Sequence, residues 1–316
     1  MNHTYIRVPL DQPQPTRCQK IKRYLMGSVL VPMHWLWAHR YHTPGLGFHW
    51  LCARFGLRLL FPKTPLSRGW AFTLGFMPMD STRYFEFDAL WRFLPSAPAG
   101  HYLDISSPRL FPLIILQRNR VARAELMNPD RSDLGLTAQL VSASGLDGRC
   151  RLHNLRIDDA SFELASFDLI TSISVVEHIL DDTAAINKMW GFLKPGGRLL
   201  LTAPCRAKAA EQFIDYNEYG LYEADESGFV FWQRYYDEAA LQERILSVTT
   251  APHHQLVYGE KIPGSFQQNA QVKRNSYFTT YPFWREPTMM GQAYRCYDRI
   301  ADLPGEGVVA LELIKT

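Results

Sequence analysis

The pair Glu177-His178 closely follows the apolar run Phe167-Asp168-Leu169-Ile170-Thr171-Ser172-Ile173 in a chain of 316 residues. A histidine with a reference pKa of about 6.5 exchanges protons near neutrality, which makes His178 a candidate general base toward a nucleophilic oxygen or nitrogen. Ser172 and Ser174, at the end of the same run, offer hydroxyls where a ligand can meet the end of a strand. A second group lies upstream, in Leu103-Asp104-Ile105-Ser106-Ser107-Pro108-Arg109-Leu110. Ser107 suits a helix N-cap and Pro108 a first helical position, so a sharp strand-to-helix turn is expected after Asp104. Neither the spacing of His34, His39 and His42 nor the adjacent His253-His254 matches a paired metal-ligand motif, and no metal is expected. GxGxxG, GxxxxGK[ST] and GxSxG are absent, which removes dinucleotide, P-loop and α/β-hydrolase readings.

These residues sit in an alternation of short apolar runs and helical patterns. Strands are expected at 102–105, 123–127, 152–155, 167–173 and 198–203, with helices from about residue 108 and over 182–193. The runs are nearly continuous, as in strands buried on both faces of a parallel sheet. A helix at 237–246, a strand at 254–261 and a last strand at 307–314 follow. Between those two strands lies an insertion, 264–304, in which Phe266, Tyr277, Phe278, Tyr281, Phe283, Trp284 and Tyr294 could wall an apolar pocket.

The Phe-Asp strand, the Glu-His pair, the following helix and Leu193-Lys194-Pro195-Gly196-Gly197-Arg198 together resemble the class I S-adenosylmethionine-dependent methyltransferases. The resemblance is close over about residues 99–205. It implies a doubly wound, mainly parallel α/β sheet of Rossmann-like form with an antiparallel final hairpin, S-adenosylmethionine as cofactor, and methyl transfer to a small, apolar or aromatic metabolite. Pro195 is read as ending the preceding helix, and Gly196-Gly197 as permitting the positive-φ reversal into the next strand. Carried over by position, Asp104 is the acidic residue ending the first strand, while Ser106, Pro108 and Leu110 stand where the family has glycines. Asn128 falls at the ribose position and Asn154-Leu155, before Phe162, at the adenine edge, with Asp158 or Asp159 as the fallback. The lead-in Asp80-Ser81-Thr82-Arg83-Tyr84-Phe85-Glu86 resembles a helix that folds over the cofactor's methionine end, through Tyr84 or Arg83. The cofactor-binding set is therefore Asp104, Ser106, Ser107, Asn128, Asn154, Leu155, Ser172, Ser174 and Tyr84. The lost glycines leave an alternative of another class, a non-catalytic member of the fold acting in binding or assembly.

Residues 1–98 form a basic, aromatic-rich helical region ahead of a 99–316 catalytic-type domain, the boundary marked by the Pro95 to Gly100 break after a helix at 82–94. Residues 1–70 hold ten Arg or Lys against Asp11 alone, a local +9 in a chain whose total is +3. Short helices joined by turns are expected there. Lys20, Lys22, Arg23, Arg40, Arg54 and Arg58, interleaved with Leu25, Leu30, Trp35, Trp37, Trp50, Leu51, Phe55 and Leu59, suit an anionic lipid surface through residues 17–62, or equally a packed cap with solvated charges. No nucleic-acid module surrounds these residues, so no nucleic-acid partner is expected. The 15 or so apolar residues from Tyr24 are too few for the roughly 20 of a spanning helix. Five scattered cysteines and a polar start without a leader pattern fit a cytoplasmic protein, membrane-associated if the lipid reading holds.

Overall fold

The computed structural model describes residues 2–7, 14–60, 66, 68–217, 220–276 and 280–316. The N-terminal region contains β1 (Asn2–Ile6) and four helices, α1 (Arg17–Ala38), α2 (Leu46–Arg58), α3 (Arg68–Phe76) and α4 (Arg83–Phe93). Thr16 opens α1 with a capping box, its hydroxyl accepting from Gln19 N at 3.3 Å and Gln19 Oε1 accepting from Thr16 N at 2.8 Å. The helix then runs for 22 residues through Pro32, longer than the short helices expected of this region.

From residue 99 the chain alternates: β2 (Ala99–Ile105), α5 (Leu110–Gln117), β3 (Val121–Met127), α6 (Arg131–Ser144), β4 (Cys150–His153), β5 (Phe167–Ile173), α7 (Asp182–Phe192) and β6 (Leu193–Arg206). A hairpin, β7 (Ala210–Ile214) and β8 (Val230–Tyr235), precedes α8 (Glu238–Arg244) and β9 (His254–Glu260). The insertion supplies α9 (Ser265–Ser276), α10 (Glu286–Ala293) and an edge strand, β10 (Tyr294–Tyr297), before β11 (Glu306–Ile314). The central sheet has the order β10-β9-β11-β6-β5-β2-β3-β4, parallel from β6 to β4. β11 lies between β6 and β9, antiparallel to both, which is the expected final hairpin. Strand order reverses between β2 and β5, and a crevice opens there at the carboxyl ends of the strands.

Two local expectations are corrected. The strand expected at 152–155 runs two residues earlier, because Asn154 and Leu155 have left the ladder and are exposed. The Leu-Lys-Pro-Gly-Gly motif does not end α7: Leu193 is already extended (ψ 140°) and pairs with Phe167, so the helix stops before Pro195. Gly196 (φ 77°) instead forms an irregularity inside β6, donating to Lys315 O at 2.6 Å while Lys315 N donates to Gly197 O at 2.9 Å. A Cβ on Gly197 would stand 2.8 Å from Lys194 O, which is why a second glycine follows.

One apolar core serves the helices and the sheet together, running from Ala38, Phe48 and Phe55 through Phe85, Phe87 and Phe111 to Leu200 and Val308. A smaller three-stranded sheet pairs β1 parallel to β7 and β7 antiparallel to β8, an N-terminal strand absent from the sequence reading. Its anchor is Asp182, fully buried at the start of α7, which accepts from Arg234 at 2.8 Å, Arg244 at 2.9 Å and Tyr236 Oη at 2.5 Å. Removing this carboxylate takes from the buried Arg234 one of its two carboxylate partners and from the partly exposed Arg244 its pairing to Asp182. Asp182→Ala is therefore expected to cost about 3–5 kcal/mol of stability, read as a lowered urea midpoint, whereas a change within about 0.5 kcal/mol would show that the arginines re-pair with Glu211 or water.

Candidate functional site

The turn after β2 is shaped from beneath. Asp104 is buried and accepts from Tyr102 Oη at 2.9 Å, Thr171 Oγ1 at 2.6 Å and Ser107 N at 3.1 Å, so its carboxylate joins β2 to β5 and closes the turn. Burial pushes its carboxyl above the ordinary value against the pull of those donors. Ser107 does not cap the helix. Its hydroxyl accepts from Ile173 N at 3.1 Å, and α5 starts two residues later than expected, at Leu110. Ser106, in a family glycine position, adopts φ 50° and is held by Met127 O, which accepts from its N at 2.8 Å and its Oγ at 3.2 Å. Ser174, after β5, takes the same left-handed conformation, φ 50°. Both departures from ordinary backbone flank the crevice.

At the end of β3, Asn128 accepts from Asp130 N at 2.9 Å and donates to Asp133 at 3.0 Å. Asp130 caps α6, accepting from Ser132 N and Asp133 N, and Arg109 pairs with Asp133. Carboxylates therefore accompany Asn128 where an amide alone was expected. Asp130-x-x-Asp133 is legible as a cap followed by a first-turn acid, the signal that would have found them.

From the N-terminal side, α4 brings Glu86, which is fully buried. Its carboxylate accepts from Arg83, from Ser174 Oγ, from Thr202 Oγ1 at 2.8 Å and from Thr82 Oγ1 at 3.3 Å. Charge-assisted bonds of this kind are the strong ones, and they fasten the helix over the ends of β5 and β6. Lys273 of α9 pairs with Asp80 at 2.9 Å and Glu286 at 2.7 Å, which binds the insertion to the start of the same helix.

These loops and helices enclose a cavity of about 700 Å³. One end is lined by Ser106, Ser107, Arg109, Asn128, Asp133 and Asp158, and the other by Trp70, Leu74, Trp232, Phe266, Tyr294 and Val308; Arg83, Ser174, Glu177 and His178 lie along it. Of the residues expected to bind cofactor, Ser106, Ser107, Asn128 and Ser174 meet in this cavity. Asp104 and Ser172 lie buried behind its wall, and Asn154 braces the β3 loop by donating to Asn128 O and Pro129 O, with Leu155 beside it in solvent. Tyr84 points away, into the core, where its hydroxyl lies 2.7 Å from His49 Nδ1; Arg83, its neighbour, is the residue that reaches the cavity. Asp158, not Asp159, lines it. In the insertion, Phe266 and Tyr294 face the cavity while Tyr281, Phe283 and Trp284 pack beneath α1, and Tyr277 and Phe278 lie outside the described residues. The potential ligand atoms of His253, His254 and Glu312 lie within 4.8 Å of one another, but Glu312 already pairs with Arg198 and His254.

His178 Nδ1 lies 2.5 Å from Trp232 O, which only an N–H can approach, so Nδ1 carries the proton and Nε2 is the basic nitrogen. Burial pushes its pKa down to about 4, leaving the ring neutral at neutral pH. Glu177 is 2% exposed, and burial, helped by the nearby Glu86, pushes its carboxyl up to about 8. Its Oε2 has no hydrogen-bond partner among the described residues, and neither has the buried hydroxyl of Tyr294. Orphaned buried polar atoms are rare, and those of Glu177 and Tyr294, with Nε of Arg109 as a third on residues lining the cavity, mark places where a ligand can complete the bonding.

A mainly parallel sheet with its cavity at the carboxyl ends, beside a reversal of strand order, defines the Rossmann-like fold class. Residues 112–201 match the model of a family described as methyltransferase domain. The chain is 27% identical over 124 residues to the ubiquinone/menaquinone biosynthesis C-methyltransferase UbiE of Geotalea daltonii, covering 37% of this chain and 53% of that protein. It is 42% identical over 53 residues to the ubiquinone biosynthesis O-methyltransferase of Xanthomonas axonopodis pv. citri, covering 17% of this chain and 22% of that protein. It thus spans about half the length of one curated relative and about a fifth of the other. Among solved structures, geranyl diphosphate C-methyltransferase from Streptomyces coelicolor A3(2) aligns with a TM-score of 0.48 at 12% identity, over 82% of this chain and 84% of that one. Over residues 112–201 the chain is thus similar to methyltransferase domains, and its mainly parallel sheet has the Rossmann-like form.

The Glu177 environment yields a pH signature. Below about pH 4.5 the carboxyl is neutral whether folded or not, while from there to about pH 8 the unfolded chain ionises and the folded one holds its proton. Its contribution to stability is therefore present in acid and lost as pH rises through about 8. Thermal melts across pH 5–8 should show a shallower decline for Glu177→Gln than for the unmutated protein. Parallel curves would mean that the folded carboxyl ionises normally.

Proposed function

We propose that the chain transfers the methyl group of S-adenosylmethionine to a small, apolar, ring-bearing metabolite. The observation that carries this reading is the single cavity that joins the polar strand-end loops to an aromatic chamber. The polar end suits the cofactor. Asp130, Asp133 and Asp158 offer carboxylates to ribose and adenine donors, the Ser106–Ser107 backbone lies at the crevice, and Arg83 offers a guanidinium to the methionyl carboxylate. When bound, the cofactor supplies an activated methyl group on its sulfonium. The chain's own part is then to orient the acceptor, exclude water and manage one proton.

The aromatic end suits the acceptor: Trp70, Trp232, Phe266 and Tyr294 provide apolar walls. Neutral Glu177 can donate from its carboxyl, Tyr294 can donate from its hydroxyl, and His178 Nε2 can accept the proton of an acceptor hydroxyl. Relatives named for ubiquinone and menaquinone biosynthesis support an apolar ring as the acceptor class.

Calorimetric titration of S-adenosylmethionine and S-adenosylhomocysteine tests the cofactor half. One site per chain is expected, with Asp133→Ala weakening binding about tenfold, equivalent to about 1.4 kcal/mol. His178→Asn should leave that affinity unchanged and lower turnover by about a hundredfold, the lower range for a lost general base. Absence of heat for both ligands would overturn the proposal, and unchanged turnover of His178→Asn would remove the proton-accepting role alone.

A further inference from the structure

α1 is apolar on two opposite sides. One side is buried: Gly27, Val31 and Ala38 face the protein, and a Cβ on Gly27 would stand 2.6 Å from Phe283 and 3.0 Å from Phe72. The other side is bare. Ile21, Leu25, Val29, Met33 and Leu36 are 50–67% exposed and recur every three or four residues, a stripe about 22 Å long at 1.5 Å per residue. Trp37 and Trp50, both 55% exposed, continue it, and the ring of Trp35 bridges toward α2 with its centroid 6.3 Å from that of Trp50. Single exposed leucines are ordinary, whereas an uninterrupted row of this length marks a surface that something covers.

Charge identifies the partner. From Gln12 to Met79 the sequence contains Arg17, Lys20, Lys22, Arg23, Arg40, Arg54, Arg58, Lys63 and Arg68 and not one Asp or Glu. Arg17, Lys20, Lys22, Arg40, Arg54 and Arg58 are exposed on the helices that carry the stripe or beside them. Apolar residues, tryptophans and cations without acids match a bilayer surface with anionic headgroups, in which an in-plane helix buries its apolar face at the acyl boundary. No described helix is long and apolar enough to cross a membrane.

We propose that α1 and the adjoining face of α2 seat the protein on an anionic lipid surface. The buried side of α1 rests on α3, with Tyr24 against Phe72 at 4.6 Å between ring centroids, and α3 in turn presents Trp70, Thr73 and Leu74 to the aromatic end of the cavity. The seat therefore places that end of the cavity next to lipid. Lipid binding stands on the stripe and its charges and does not depend on methyl transfer, so each can fail without the other.

Co-sedimentation of the full chain with phosphatidylcholine vesicles, with and without phosphatidylglycerol, tests it. Binding is expected with phosphatidylglycerol, weakening as salt is raised, and falling about fivefold for each cation lost in Lys20→Gln and Lys22→Gln. Leu25→Ser with Leu36→Ser should abolish binding while leaving the melting temperature unchanged, because both side chains are already in water. No binding to either vesicle, or equal binding by the unmutated and doubly substituted proteins, overturns the proposal. So does light scattering that shows a dimer in solution which the same double substitution makes monomeric, since the stripe would then be a contact between two copies of the chain.

Discussion

The carboxylate of Glu86 is the point at which the N-terminal helices and the sheet become one site. It is wholly buried, a position no carboxylate can hold without donors, and those donors come from three elements: Thr82 and Arg83 at the start of α4, Ser174 after β5 and Thr202 in β6. Because Arg83 is drawn to it, a guanidinium is set into the cavity. Because Ser174 donates to it, the left-handed residue after β5 has a fixed partner. The helix that closes the crevice is thus held by electrostatics at its first turn and by Phe85, Phe87 and Leu90 in the common core along its length.

The loops show how the same backbone geometry survives without its usual residues. A left-handed φ costs a non-glycine residue roughly 1–2 kcal/mol, and this chain adopts it at Ser106 and again at Ser174. At both places the surrounding hydrogen bonds offset the cost: Met127 O receives both donors of Ser106, and Thr202 O and Oγ1 each lie 3.1 Å from Ser174 N. Asp104 contributes from below by closing the first turn. Strain of this kind persists only where neighbours over-determine the conformation, and of the six such non-glycine residues among those described, Ser106 and Ser174 line the cavity.

Protonation follows the same division between wall and interior. His178 and Glu177 are adjacent in sequence, yet burial drives their pKa values in opposite directions, to about 4 and about 8. Both are consequently neutral at pH 7, one with an accepting nitrogen and one with a proton to donate, although unperturbed they would carry charge or stand near titration. The orphaned polar atoms of Glu177 and Tyr294 belong to residues that line the cavity of about 700 Å³, a volume that a ligand can fill.

Much was legible in the residues alone. Nearly continuous apolar runs at 167–173 and 198–203 read as interior strands, and the Phe-Asp, Glu-His and Leu-Lys-Pro-Gly-Gly order carried the resemblance to methyltransferases, whereas Gly196-Gly197, read as the reversal out of a helix, lie inside β6. The excess of cations before residue 70 needed no structure either. What the sequence could not decide was direction. Residues two apart in a strand share a face, but Ser174 has already left β5 in a left-handed conformation, so Ser172 ends behind the wall and Ser174 in the cavity, while successive residues at the start of α4 send Tyr84 inward and Arg83 to the site. The parallel pairing of β1 with β7 joins residues some 200 positions apart, a contact that no local pattern encodes. Likewise, hydropathy made α1 apolar, but only packing against Phe72 and Phe283 determined which of its two apolar sides would be left outside.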